Sequence, residues 1–367
     1  MAERPLYPVC RAHLDEISDE IGIWQHATGA NPNREFGYCT DDVARGLGVD
    51  LLHSPSLGWS AVEGSARRSM AFLRDAFNPR EGRFRNFRSA DGEWLETIGS
   101  EDCHARAMVA LGFAIADAPD PGLAGDAAQL FKEALPAVRA LTNLRPMAAA
   151  LLGCDSALRG GAAGETLAAF RWLAAQLARA LVDLPPDWPW PDPVVTYENA
   201  LLPMALIAAG RRLADEVMMQ AGCTVLDWLA LSQTTAAGRL SIVGNSGWWT
   251  RGDSRARFDQ QPIDATSLLL AAEEAYVATA AEQYLNVAEM AYGWFLGDND
   301  MNVPVAIAAT GGCHDGLTAD GVNLNQGAES TLMWLTALEH MRKIRTTSRP
   351  KEAAISGLNL SRSQVSR

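Results

Sequence analysis

The chain has 367 residues, 48% of them hydrophobic, and a formal net charge of −13 at pH 7. Length and apolar content suffice for a large core built as one barrel or toroid. The acidic balance argues against a nucleic-acid groove and against docking on an anionic membrane, since both need a basic surface; neutral ligands stay open, and sugars are the obvious neutral class.

The first residues lack the long apolar core of a signal peptide. No apolar run approaches the roughly 20 residues that span a bilayer. Cys10, Cys39, Cys103, Cys154, Cys223 and Cys313 lie far apart, which fits reduced thiols better than a disulfide framework. The cytoplasm is the expected location.

One punctuation recurs along the chain: a loop rich in Gly, Asn or Thr runs into a polar, usually acidic, start, and an apolar helical segment follows. It occurs at Gly37-Tyr-Cys-Thr-Asp-Asp-Val-Ala-Arg45 and at Gly99-Ser-Glu-Asp-Cys-His-Ala-Arg106. A weaker member is Thr142-Asn-Leu-Arg-Pro-Met-Ala-Ala149, followed by Thr196-Tyr-Glu-Asn-Ala-Leu-Leu202. The last two are Gln261-Pro-Ile-Asp-Ala-Thr-Ser-Leu268 and Asn325-Gln-Gly-Ala-Glu-Ser-Thr-Leu332. Their separations, about 40 to 65 residues, match the length of a helical hairpin with its loops. Apolar stripes at three-four spacing follow the starts, as in Leu268, Leu269, Ala272, Ala275 and Tyr276, and in Leu332, Leu335, Leu338 and Met341.

Between the starts, Ser65–Ala76, Ala127–Leu141, Leu167–Leu181, Leu213–Ser232 and Ala280–Leu296 read as amphipathic outer partners. Pro136 predicts a kink or a late start in the second. Residues 80–98 and 239–253 read as short β-hairpins or ordered loops, and the proline-rich 185–193 as a stiff loop. The expected architecture is an all-α (α/α)6 barrel: one domain over 1–345, small hairpins over the active face, and a disordered polar tail over 346–367. In such a ring the inner helices run one way, so their N-termini and the carboxylates there meet in one cup.

Those carboxylates are the candidate chemistry. Asp41 and Asp42 begin one helix, where the helix dipole stabilises negative charge and where a sugar hydroxyl or a proton can be handled. Arg45 stands where a prenyl-diphosphate motif would place a further acid. Glu101 and Asp102 repeat the arrangement; Arg106, four residues after Asp102, can bridge along the helix or hold a rim carboxylate ionised. Glu198, Asp264 and Glu329 mark later starts. Glycosidic-bond hydrolysis needs a protonated acid and an opposed base or nucleophile. The proton-transfer pair is expected among Asp42, Asp102, Asp264 and Glu329, with Glu198 as substitute. Helix capping and dipole contacts are the competing role for each of these acids.

Substrate contacts are expected from Asp41, Arg45, Glu101, Arg106, Tyr197, Glu198 and Asp315, and from His26, His104, Asn325 and Gln326. Trp188, Trp190, Trp248 and Trp249 lie in irregular segments, where Trp rings either stack on sugars or plug loops onto the barrel; Trp248 and Trp249 are the expected sugar contacts. Cys103-His104 and Cys313-His314 have poor spacing for zinc. No calcium loop, nucleophile elbow or phosphate loop is present in the sequence, so no metal or cofactor is expected.

The segments Gly22-Ile-Trp-Gln-His-Ala27, Gly37–Arg45, Gly311-Gly-Cys-His-Asp-Gly-Leu317 and Asn325–Ser330 form a set. Over roughly residues 10–342 it resembles a bacterial family labelled glycosyltransferase whose chain looks like a six-hairpin glycosidase-type (α/α)6 barrel. The resemblance implies that fold, carbohydrate as ligand, and a glycosyltransferase as a possible partner. The sequence itself shows no alternating strand–helix pattern and no Gly-rich loop for a nucleotide sugar. The expected activity is inverting hydrolysis of an oligosaccharide or glycan, with phosphorolysis as a close variant. Sugar epimerisation or isomerisation, and non-catalytic carbohydrate binding or scaffolding, are the rivals.

Overall fold

A computed structural model describes residues 4–363, with side chains placed for residues 4–347. Each of the six polar starts opens a helix. These inner helices are α2 (Thr40–Leu57), α4 (Glu101–Asp117), α6 (Leu144–Arg159), α8 (Leu201–Leu213), α10 (Pro262–Thr279) and α12 (Ala328–Ser363). Each packs on the next, and α12 packs back on α2, so the ring closes as an (α/α)6 barrel. The outer helices α3 (Trp59–Ala76), α5 (Pro121–Ala134), α7 (Glu165–Leu181), α9 (Glu216–Ser232) and α11 (Gln283–Phe295) each cover the inner helix before them. Pro136 ends α5, as the missing backbone donor requires, and the chain continues as a 3-10 turn over Leu135–Ala140.

Two departures from the expected six hairpins stand out. The outer partner of α12 is not a full helix: α1 (Ala12–Glu16) and the segment before it take that place. Arg345 donates to the Arg4 carbonyl at 2.6 Å, and Arg342 to that of Tyr7 at 2.6 Å. The second departure is a two-stranded ribbon, Trp24–Thr28 with Asn31–Cys39, whose last residues also pair with Phe87–Arg88. The expected tail lies almost wholly outside the residues with described side chains. Among the described residues no helix is long and apolar enough to cross a membrane.

Connections differ sharply at the two ends of the ring. Inner-to-outer turns are short: Gly58, Ala118–Asp120, 160–164, Ala214–Asp215 and 280–282. Outer-to-inner connections are long and carry every small sheet, including 77–78 with 83–84, 194–195 with 249–250, and two hairpins within 306–323. The long loops therefore stand over the inner-helix N-termini.

The ring is tightest between α4 and α6. A Cβ on Gly112 would lie 2.1 Å from the Gly153 carbonyl oxygen, so the two backbones touch because both positions lack side chains. Elsewhere the lumen stays open. A cavity of about 1050 Å³ runs from Arg45, Arg106 and Glu198 to the short-turn end.

Candidate functional site

Two arginines organise the cup. Arg45, one helical turn after Asp42, contacts its Oδ1 at 2.8 Å with Nη1 and Glu329 Oε2 at 2.8 Å with Nη2. Arg106 contacts Asp41 Oδ2 at 3.4 Å through Nε and forks onto Glu198, one leg being Nη1 to Oε1 at 3.0 Å. Arg106 thus reaches across the ring, and no bridge to Asp102 forms among the described residues. Four helix starts are tied together by two buried guanidinium groups. Arg is suited to this, because its planar fork serves two carboxylates at once.

Burial sorts the carboxylates. It pushes Asp264 up to about 8, with the Glu198 charge adding and the Asn199 N–H and Arg145 opposing. Asp42 is pushed up to about 7 by burial against the pull of Arg45, with Glu329 and Asp41 adding. Asp41 is raised by burial despite Arg106 and Arg45. Glu198 goes the other way: burial raises it, but the Arg106 fork outweighs that and holds it low. At neutral pH Asp264 is therefore a protonated acid beside an ionised Glu198, the split environment expected of acid–base pairs.

Asp102 and Asp264 hang on one turn. The Tyr197 hydroxyl donates to Asp102 Oδ2 at 3.1 Å, and Asn199 Nδ2 donates to Asp264 Oδ1 at 3.3 Å. Glu198, between them, holds a left-handed φ of +47°, a strained backbone for a non-glycine residue. Trp248, also left-handed at φ +57°, brings its ring within 6.2 Å of Tyr197. Asp102 is half-buried and has no cationic partner among the described residues.

Several expected contacts are placed elsewhere. His104 is fully buried and packs on Phe84 with ring centroids 5.5 Å apart, away from the cup. Burial and Arg83 push it down to about 3, so it stays neutral. Glu101 accepts hydrogen bonds from Thr142 and Asn143 at the start of α6, so it ties two inner helices together. Trp249 stacks on Trp228 at 5.2 Å and meets Trp188 edge-on at 4.9 Å; with Trp190 they form a plug that seats the loops on α9. Of the four loop tryptophans only Trp248 is left beside the cup.

On the rim, Asp315 accepts from Gly327 N–H at 2.7 Å just before α12, within the electrostatic field of His26 and Glu329. His26 packs edge-on against Phe36 at 4.6 Å. Asn325 Oδ1 accepts from Gly29 N–H at 3.0 Å, and the Gln326 carbonyl receives His13 Nε2 at 2.8 Å. Asn325 pins the turn of the ribbon, and Gln326 pins α1, to the loop before α12. All six cysteines are free. Among the described residues no cluster of three or more His, Cys, Asp or Glu is arranged to hold a metal.

Sequence reasoning missed Arg145, at the weakest of the six starts. Its guanidinium lies 4.0 Å from the Tyr197 ring centroid and donates to Thr196 Oγ1 at 2.9 Å, with no carboxylate partner among the described residues. Its basic charge in an otherwise acidic repeat was the available signal.

No protein-family model matches the chain, and no curated protein matches it by sequence. Solved structures do match. Cellobiose 2-epimerase from Bacillus thermoamylovorans is 12% identical with a TM-score of 0.71, over 92% of this chain and 96% of that one. The GH76 α-mannanase of Bacteroides thetaiotaomicron is 11% identical, TM-score 0.65, over 92% and 95%. A GH76 α-1,6-mannanase of Salegentibacter, solved with α-1,6-mannotetrose as an inactive variant lacking two consecutive aspartates, is 10% identical, TM-score 0.61, over 90% and 95%. At such identities the likeness shows the fold, an (α/α)6 barrel spanning nearly all of both chains.

Proposed function

We propose that the chain is a carbohydrate-active enzyme that hydrolyses a glycosidic bond of an oligosaccharide or glycan with inversion. The carrying observation is the pair of unlike carboxyls on the Tyr197–Asn199 turn. Asp264, protonated to about pH 8, is the proton donor to the leaving oxygen. Asp102, held by the Tyr197 hydroxyl with no cation beside it among the described residues, is the base that draws a proton from water. Inversion requires these groups about 6.5–9.5 Å apart, with water between base and sugar. Asp41, Asp42, Glu198 and Glu329 are tied to Arg45 and Arg106, which suits them to holding hydroxyls and shaping the field.

Support for carbohydrate comes from the three solved neighbours, a cellobiose epimerase and two α-mannanases, and from Trp248 beside the cup, a ring of the kind that stacks on sugar faces. The adjacent Asp41-Asp42 parallels the two consecutive aspartates removed in the inactive mannanase, although here both are engaged by arginine. Epimerisation by imidazole acid–base chemistry is less well served. Five of the six helix starts present carboxylates and the sixth Arg145, and the histidine in the first turn of α4, His104, faces outward. Phosphorolysis has one observation in its favour, the carboxylate-free Arg145 beside the acid.

The test is a panel of oligosaccharides and glycans incubated with and without phosphate, with products read by mass and the first product's anomer by NMR. Inverted free sugar supports the proposal. A sugar phosphate assigns phosphorolysis, an isomeric product assigns epimerisation, and binding without product would leave a non-catalytic carbohydrate-binding protein.

A further inference from the structure

The barrel has two ends, and the proposed chemistry uses only one. Behind the Arg45–Arg106–Glu198 layer the lumen continues to the short-turn end as a cavity of about 1050 Å³. Ligand sites commonly measure about 300–1,000 Å³, so this is ample room for a bound molecule. From Arg45 to Ser56 along α2 it is about 16 Å deep, at the 1.5 Å rise of a helix residue.

Between the arginine layer and the charged mouth its wall is largely apolar. Leu51, Phe113, Leu152, Met204, Leu270 and Met333 each come from a different inner helix. Two of the hydroxyls in its wall are spent internally, Thr266 donating to the Met333 carbonyl and Ser267 to that of Asp264. The outer mouth carries charges of both signs, mutually paired: Arg159 with Asp117, Arg212 with Asp155, Lys343 with Glu273. A polar ligand would find few partners inside, whereas a flexible apolar chain would lose little by entering.

One residue gives an independent indication. Gly48 sits in the middle of α2 and lines this lumen. Its φ is ordinary for a helix, and a Cβ there would meet only the Phe113 ring, at 3.9 Å. Glycine is a poor helix former, so neither backbone nor packing explains it. What a side chain at 48 would take away is lumen space.

We propose that the lumen binds the alkyl chain of an amphiphile, entering from the short-turn mouth with its head at the paired rim charges. The chain end would then abut the arginine layer whose other face holds the cup carboxylates. The inference does not depend on the reaction assigned to the cup.

The test uses the whole protein and the neutral probe N-phenyl-1-naphthylamine, whose fluorescence rises in apolar surroundings, with 1-decanol as competitor. Gly48→Leu fills the lumen. Gly64→Leu, on the exposed face of α3 with only Arg68 at 3.6 Å, makes the same change in helix propensity outside it. Saturable, decanol-competed binding in the wild type and Gly64→Leu, weakened tenfold or more in Gly48→Leu with unchanged circular dichroism, is the expected result. Thr336→Leu, on α12 at the same lumen, repeats the comparison should Gly48→Leu not fold. No saturable binding by the wild type, or unchanged affinity in a folded lumen variant, would overturn the proposal.

Discussion

The guanidinium of Arg106, on the second inner helix, forks onto the Glu198 carboxylate ahead of the fourth and touches Asp41 of the first. One side chain thereby braces three of the six helix starts. Removing one partner of a buried pair leaves the other charge uncompensated, at a cost of about 3–5 kcal/mol. Arg106→Met should therefore lower stability in urea titrations by that order, and Arg106→Met with Glu198→Leu should recover a large part. Recovery identifies the stranded charge, not lost packing, as the cause.

Asp264 gives a signed pH dependence. Its carboxyl titrates near 8 in the folded chain, against about 4 when unfolded. The folded state thus holds a proton that the unfolded state releases. The associated stability is complete below about pH 4 and is lost as pH rises through about 8. Asp264→Asn should flatten this slope and leave the variant relatively more stable at pH 9 than at pH 5, as read by thermal unfolding at both values.

The same residue should set the alkaline limb of turnover. If Asp264 donates the proton, kcat/KM on the substrate found in the panel should fall above about pH 8. Asp264→Asn and Asp102→Asn should each cost about 10²–10⁴-fold. Loss in one variant only would reassign the other role, with Asp42 and Glu329 next to be tested.

Trp248 and Trp249 are neighbours with separable roles. Trp249→Ala opens the tryptophan plug and should cost about 3–5 kcal/mol of stability with little change in KM. Trp248→Ala should leave the melting temperature nearly unchanged and raise KM roughly tenfold, the worth of a stacking contact.

Gly37 tests the local backbone. At φ +65°, with a Cβ position only 2.1 Å from the Arg88 carbonyl oxygen, it admits no side chain. Gly37→Ala should force the 87–88 strand off Tyr38–Cys39, destabilise the protein by about 1–3 kcal/mol or more, and displace Asp41 and Asp42 just beyond it.

Much of the barrel was legible because its signals are local. Each inner helix opens within three residues or so of a polar start; Pro136, expected to kink or delay its helix, instead ends α5, which begins earlier, at Pro121. The Trp24–Cys39 ribbon escaped notice because Asn31-Pro-Asn-Arg-Glu-Phe-Gly lacks the period-two alternation of a strand. His104 could have been placed correctly. Two residues after Asp102 on a helix it points to nearly the opposite face, so both cannot face the lumen. Arg106 lies one turn from Asp102 and does face inward, but its true partners are distant in sequence, and no spacing rule reaches Glu198. The open lumen has no sequence signature at all, since Leu, Met and Phe look the same whether they fill a core or line a void.

The missing outer helix bears on how the molecule is made. The final inner helix is covered by residues near the beginning of the chain: Arg4 also pairs with Asp298 at 2.6 Å, and His13 bonds the loop before α12. Domains start folding from their N-terminal parts during synthesis, and distant contacts form late. Here residues 4–13 find their partners in residues 326–345, which are made about 300 residues later. Closing the ring therefore rests on contacts more than 300 residues apart in sequence, the slowest kind to form.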